Sequence, residues 1–203
     1  DGDRKGRAGR IWAVDMRGHG RSRLPLPPGG PGNWNLYRDD LIALLDGLDG
    51  PAPVVAGHSM GGTSALLAAA RRPDRVARLV LLDPVIWPKP LDLAFRAPLL
   101  KRLAGQTPIV ASALRRRADF PDRETALRAY RGRGAFRGWP DEPLRDYLAD
   151  GLTQAPDGDF TLACPPWWEA ASYAGQSHDP WGALRRYKGP LDILKAEIGA
   201  LTA

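Results

Sequence analysis

Five consecutive residues, Gly57-His58-Ser59-Met60-Gly61, carry the chemistry most easily read from this chain. A serine hydroxyl is a weak nucleophile. It becomes useful when it projects from a sharp strand-to-helix turn, with small residues on either side making room for that turn. Pro53 to Ala56 is a short strand-like run before the motif. Gly62 to Arg72 follows it as a stretch of small residues, closed by Arg71, Arg72 and Pro73, a basic last turn and a proline stop. The backbone N–H of Met60 then stands where an oxyanion would form, at a helix N-terminus with its partial positive charge. The implied chemistry is attack by Ser59 on a carbonyl carbon. The plainer alternative is a glycine-rich loop ahead of an ordinary helix.

The flanking sequence predicts the scaffold such a turn needs. Arg10 to Asp15 is a short, nearly continuous apolar run, as in a strand buried on both faces. A loop rich in Gly and Pro runs from Gly18 to Gly32. Asn35 to Leu48 places Leu36, Leu41, Leu44, Leu45 and Leu48 at helical spacing, with Asp39 and Asp40 toward the outer face. Val76 to Leu82 is a third strand, ended by Asp83-Pro84. Strands alternating with helices imply a parallel sheet with crossover helices, an α/β fold.

From Val85 to Tyr187 the composition shifts toward Trp, Pro and Arg. A helix follows Pro121-Asp122 and runs to Arg131. Asp141 is suited to N-cap another through Leu148, with Pro143 in its first turn. Pro166 opens a third, carrying Trp167, Trp168 and Tyr173. No strand pattern is visible here, so the segment reads as a helical insertion. Gly189-Pro190 reopens the core, and Leu191 to Lys195 is a fourth strand. The resulting division is 1–84 core, 85–187 insertion and 188–203 return to the core.

A second motif, Val14-Asp15-Met16-Arg17-Gly18-His19-Gly20-Arg21-Ser22, directly follows the first strand. With Gly57-His58-Ser59-Met60-Gly61-Gly62 and Leu79-Val80-Leu81-Leu82-Asp83-Pro84, it resembles the α/β-hydrolase superfamily in order and spacing. The resemblance covers 10–84 strongly and 188–198 weakly, and matches strands four, five, six and seven of that fold. The insertion falls where the family carries its cap. The chain is most similar to esterase- or lipase-like members with a long helical cap.

The resemblance implies a mostly parallel α/β-hydrolase sheet and hydrolysis of carboxylic esters or related acyl substrates. Ser59 would be the nucleophile, Met60 an oxyanion donor and Asp83, after the sixth strand, the acid that orients a base. The usual acid position after strand seven falls on Gly199, with Glu197 two residues early. A turn residue before Pro84 is the plainer reading of Asp83. The family's histidine follows an eighth strand, and its second oxyanion donor follows the third. Both would lie outside this chain, so the expectation is a fragment, inactive and poorly soluble alone. His19 is expected near the pocket mouth, with the Asp15/Arg17 turn architectural. His58 is expected to pack in the elbow and His178 to serve a loop or cap. The same elbow serves C–C hydrolases, perhydrolases and acyltransferases, and an inactive interaction module is a further alternative. Haloalkane dehalogenases and epoxide hydrolases are disfavoured, since they place an aspartate where Ser59 stands.

The 203 residues are 43% hydrophobic and 26% charged, an ordinary globular balance. The net charge of +6 is scattered arginine, so no nucleic-acid partner is expected. No phosphate-cradling glycine loop appears and the three histidines lie far apart, so no cofactor and no metal are expected. The single cysteine, Cys164, reads as a small buried apolar residue. No apolar run is long enough to span a membrane, and a cytoplasmic location is expected. The substrate is expected to be a small acyl or ester molecule. Trp87, Phe95, Leu99, Leu100, Trp139, Trp167, Trp168 and Tyr173 are candidates to line its pocket, or simply to hold the lid to the core.

Overall fold

The fold is seen in a computed structural model that describes residues 10–97 and 105–197. Three parallel strands form its main sheet in the order β1 (Val54–His58), β2 (Arg78–Leu82) and β6 (Leu191–Leu194). The register pairs His58 with Leu82 and Leu82 with Leu194, so all three strands end together at one edge. Helix α1 (Asn35–Gly47) precedes β1, and α2 (Met60–Ala69) crosses from β1 toward β2. Every residue of α2 from Gly62 to Ala69 is buried. Its small side chains let it lie close on the sheet. Leu66 meets Leu79, Leu81 and Ile86 in a core that also takes Trp34, Trp168 and Ala183.

The run Arg10–Asp15 is not a strand. It takes no regular secondary structure, with Ile11 94% and Val14 54% exposed. Apolar character favours a strand only where a ladder partner exists, and no described residue pairs with this run. The other expected core elements form within two residues of their expected bounds, except that the helix after Ser59 ends at Ala69, three residues before the expected Arg72. Asp40 also departs from expectation. Rather than facing solvent, it takes two hydrogen bonds from one edge of the Arg17 guanidinium, with Arg17 Nε donating at 2.8 Å.

Segment 85–187 holds six described helices: α3 (Lys89–Arg96), α4 (Pro108–Leu114), α5 (Arg123–Tyr130), α6 (Asp141–Gly151), α7 (Pro166–Ala174) and α8 (Pro180–Arg186). It also holds strands, contrary to expectation. Asp119–Phe120 (β3), Leu152–Gln154 (β4) and Phe160–Leu162 (β5) form an antiparallel sheet in the order β3-β5-β4. Strands of two or three residues are too short to show alternation in a sequence. They are held by one buried side chain each, Phe120, Leu152 and Leu162, against Leu127, Leu144 and Leu148 of α5 and α6. Asp122 caps α5, accepting from Thr125 N at 2.6 Å. Asp141 does not cap α6. Pro140 holds that position, and the Asp141 carboxylate instead takes Arg131.

Hydrogen bonds from buried rings pin this segment to the core. Trp34 Nε1 donates to Ser172 O at 2.8 Å, Tyr37 Oη pairs with Ser172 Oγ at 2.6 Å, and Trp168 Nε1 donates to Arg17 O at 3.1 Å. Gly18, at φ 78°, lies so close that a Cβ would stand 2.3 Å from Trp168 Nε1. Helix α8 packs its Ala183 into the main core.

Candidate active site

Ser59 sits between the last residue of β1 and the first of α2, with φ 51° and ψ −123°. An L-residue resists this conformation because its Cβ crowds the backbone. The surroundings hold it. Ser59 N donates to Leu82 O at 3.0 Å, extending the ladder, and Thr63 N returns to Ser59 O at 3.1 Å, starting the helix. Glycines make the turn possible, though not the pair the motif suggests. A Cβ on Gly57 would stand 2.5 Å from Gly61 O, and one on Gly62 2.8 Å from Gly57 O. A Cβ on Gly61 would meet nothing within 4 Å. Met60 opens α2, so its N–H is among the four that have no intrahelical acceptor.

Asp83 occupies the matching place after β2. Because His58 pairs with Leu82, Ser59 and Asp83 stand side by side just past the ends of neighbouring parallel strands, roughly 4.8 Å apart across the sheet. Asp83 has φ 45°. Among the described residues, Ser59 and Asp83 are the only non-glycine positions with positive φ. Asp83 N donates to Leu194 O at 2.7 Å, tying it to β6 as well. Its Oδ1 is buried without a hydrogen-bond partner among the described residues. A buried carboxylate oxygen left this way is costly, and suits an acid placed to receive an imidazole N–H.

A cavity of about 430 Å³ opens over Ser59, lined by Val14, Asp15, Met16, His19, His58, Met60 and Gly61, with Tyr173 from α7. Of the aromatic and aliphatic residues expected to line it, only Tyr173 does so among those described. Trp168 is committed to holding segment 85–187 on the core, its Nε1 donating to Arg17 O, and the Trp87 indole is engaged within that segment, donating to Gln176 Oε1 at 3.4 Å. Trp139 packs edge-on against Phe136, and Leu99 and Leu100 lie outside the described residues. So does Gly199, while Glu197 is exposed.

None of the three histidines bonds to Ser59 or Asp83. His19 lines the cavity, as expected, but both of its nitrogens are engaged. Nδ1 lies 3.1 Å from Arg17 O, which accepts only, so Nδ1 carries the proton. Nε2 lies 3.4 Å from Cys164 Sγ. Burial pushes the Cys164 thiol up to about 12, so the protonated sulfur donates to Nε2. Cys164 is thus partly exposed and paired, not simply buried, and a sequence separation of 145 residues hid that contact. His58 is exposed beside Ser59. His178 stacks on Trp34 with ring centres 4.6 Å apart, and burial pulls it down to about 4. The Asp15/Arg17 turn is architectural, as expected: Asp15 Oδ2 accepts from Arg21 N at 2.9 Å and Arg17 grips Asp40. No cluster of three or more metal-ligating side chains occurs among the described residues, and none of their helices is long and apolar enough to cross a membrane.

Comparison with known proteins agrees with this architecture. The family model for the alpha/beta hydrolase family matches residues 3–196. Lipase LipV of Mycobacterium tuberculosis is 49% identical over 79 residues, which make up 37% of this chain and 28% of that protein. Ethanol acetyltransferase 1 of Eremothecium cymbalariae is 27% identical over 157 residues, or 77% of this chain and 40% of that one. Among solved structures, E-2-(acetamidomethylene)succinate hydrolase superposes with a TM-score of 0.66 at 24% identity, covering 89% of this chain and 60% of its own. The chain spans less than two thirds of the length of each of these proteins. The match takes in nearly the whole chain, strand–turn–helix included, and the chain belongs to the alpha/beta hydrolase family.

Proposed function

We propose that this chain carries the nucleophile of a serine hydrolase acting on carboxylic esters or related acyl substrates. The observation that carries the reading is the pairing of two strained residues, Ser59 and Asp83, at the same edge of adjacent strands. In this reading Ser59 Oγ attacks the acyl carbonyl, and the oxyanion takes a hydrogen bond from Met60 N–H. Asp83 orients the imidazolium formed when a histidine accepts the Ser59 proton. Collapse of the tetrahedral adduct breaks the acyl C–O bond, the imidazolium returns its proton to the departing alkoxide, which leaves as the alcohol, and water then hydrolyses the acyl-enzyme to release the acid and free Ser59. His19 is not that base, since its Nε2 already takes the Cys164 thiol. None of the three described histidines bonds to Ser59 or Asp83, so the reading places the base on none of them. Segment 85–187 acts as a cap that covers the serine.

Transfer of the acyl group to an alcohol is a second reading. It is favoured by similarity to an acetyltransferase over 77% of this chain, and it needs only an alcohol in place of water at the last step. The test is p-nitrophenyl ester turnover and fluorophosphonate labelling of the intact protein. Ser59→Ala should abolish labelling and lower turnover by about a thousandfold or more. Unchanged turnover in that variant would remove the assignment. Product analysis with ethanol present separates hydrolysis from transfer.

A further inference from the structure

The cavity over Ser59 is built almost wholly from residues 14–61. Among its described lining residues, a single one, Tyr173, comes from segment 85–187. Three independent contacts fix it. Its hydroxyl donates to Glu169 Oε1 at 3.1 Å, and Glu169 Oε2 lies 2.9 Å from Arg116 NH1. Its backbone carbonyl accepts from Gln176 Nε2 at 3.1 Å, and Gln176 Oε1 takes Trp87 Nε1 at 3.4 Å. Its side chain packs with Val110, Ala113 and Ala170, where α4 meets α7.

In the ion pair behind the hydroxyl the Glu169 side chain is 13% exposed and that of Arg116 34%, so it is the carboxylate that is shielded. Breaking it would leave a charge poorly solvated, so the pair holds its geometry. Burial and the neighbouring Glu169 carboxylate also keep the Tyr173 phenol well above its ordinary range. The hydroxyl therefore stays protonated and committed to Glu169. The part of Tyr173 left to meet a substrate is its ring, an apolar wall fixed from behind.

We propose that Tyr173 determines the acyl specificity of the Ser59 site: its ring, braced by Glu169 and Arg116, limits the length of the acyl chain that fits beside the nucleophile. The inference rests on the reading of Ser59 as that nucleophile. A braced ring excludes long chains because it cannot swing aside, whereas an unbraced ring yields part of the way. Short-chain esters are then the preferred substrates.

The experiment compares kcat/KM for p-nitrophenyl acetate and p-nitrophenyl octanoate in the intact protein, where the alcohol is constant and only the acyl chain varies. Tyr173→Ala should raise the octanoate-to-acetate ratio roughly tenfold or more, the discrimination that a few methylenes carry in an apolar pocket. Tyr173→Phe and Glu169→Gln keep the ring but weaken its brace, and should raise the ratio only about two- to threefold. A purely structural role would lower both esters alike and leave the ratio where it was. If Tyr173→Ala does not fold, Tyr173→Leu, which keeps apolar contact with Val110 and Ala113, gives the same comparison. An unchanged ratio in a variant whose Ser59 is still labelled by a fluorophosphonate overturns the inference and leaves the nucleophile standing. Failure of the wild-type protein to label at Ser59 or to turn over either ester overturns both.

Discussion

Alanine substitutions at the three glycines around Ser59 should have opposite effects. At Gly57 the new Cβ would stand 2.5 Å from Gly61 O, 2.6 Å from Gly61 C and 2.7 Å from Gly62 N, all backbone atoms. These contacts fall nearly an ångström short of ordinary van der Waals separation. Neither side yields easily: β1 is locked to β2 through Ser59 N and Leu82 O, and the first turn of α2 is locked by Thr63 N on Ser59 O. Overpacking usually costs about 1–3 kcal/mol. Backbone against backbone puts Gly57→Ala at the top of that range, about 3 kcal/mol, or roughly 6–12 °C in Tm for a chain of this size. At Gly62 the nearest backbone atom is 2.8 Å away, and alanine's helix preference returns up to about 1 kcal/mol. The net loss there should be about 1–2 kcal/mol. At Gly61 the Cβ meets open space and the residue lies in α2 without positive φ. Gly61→Ala should therefore stabilise by about 0.5–1 kcal/mol. Urea unfolding followed by tryptophan fluorescence measures all three, with a constant m-value showing that stability alone has changed. A Gly57→Ala protein that unfolds with the wild type, or a Gly61→Ala protein as damaged as Gly57→Ala, would refute the steric reasoning.

Two further outcomes follow from the site and its surroundings. Asp83→Asn keeps the shape and suits the left-handed backbone, since asparagine tolerates φ near 45°. It should fold normally yet lose about 10³–10⁴ in kcat toward p-nitrophenyl esters. A loss under tenfold would reduce Asp83 to a turn residue. His178 makes the fold acid-sensitive in a defined window. Its folded-state value lies at about 4, below its ordinary 6.5, because burial disfavours the charged ring. Between those values the unfolded chain binds a proton that the folded chain does not. Stability is therefore complete above about pH 6.5 and falls toward pH 4, by up to about 3 kcal/mol. His178→Phe, which keeps the stack on Trp34, should flatten this part of the stability–pH curve. Asp179 contributes separately at lower pH, because its partners hold it below 3.8. Equal steepness in the two proteins from pH 6.5 to 4 would exclude His178 as the cause.

What the sequence made legible was local. The turn at Ser59 could be read because its glycines, serine and following small residues act on one another within six positions. The bounds of α5 and the start of α7 were legible because caps and prolines are local signals too. Pairing across the chain was not. Arg10–Asp15 has the composition of a buried strand, but composition says nothing of a ladder partner. Strands β3, β4 and β5 were invisible because alternation needs more residues than they have. Tyr173 could not be separated from the seven other apolar residues proposed for the pocket. Its hold on Glu169 is local, yet its place over Ser59 depends on how α7 docks through Trp168 and Ser172. The Cys164–His19 contact joins two loops that no periodicity relates.

Strain adds an argument that motif matching lacks. A non-glycine residue in left-handed or neighbouring backbone space costs of order 1–3 kcal/mol and persists only where surrounding structure over-determines it. Here the two such residues among those described are neighbours on one sheet edge. Each is fixed by a ladder bond to the next strand, Ser59 N on Leu82 O and Asp83 N on Leu194 O. A turn residue before a proline needs neither a left-handed backbone nor a buried carboxylate oxygen without a hydrogen-bond partner, and among the described residues Asp83 has both. The fold therefore concentrates its backbone strain and an unsatisfied acidic oxygen where a serine, an acid and an approaching imidazole would have to meet. That coincidence favours a shared chemical role for Ser59 and Asp83 over two unrelated turns.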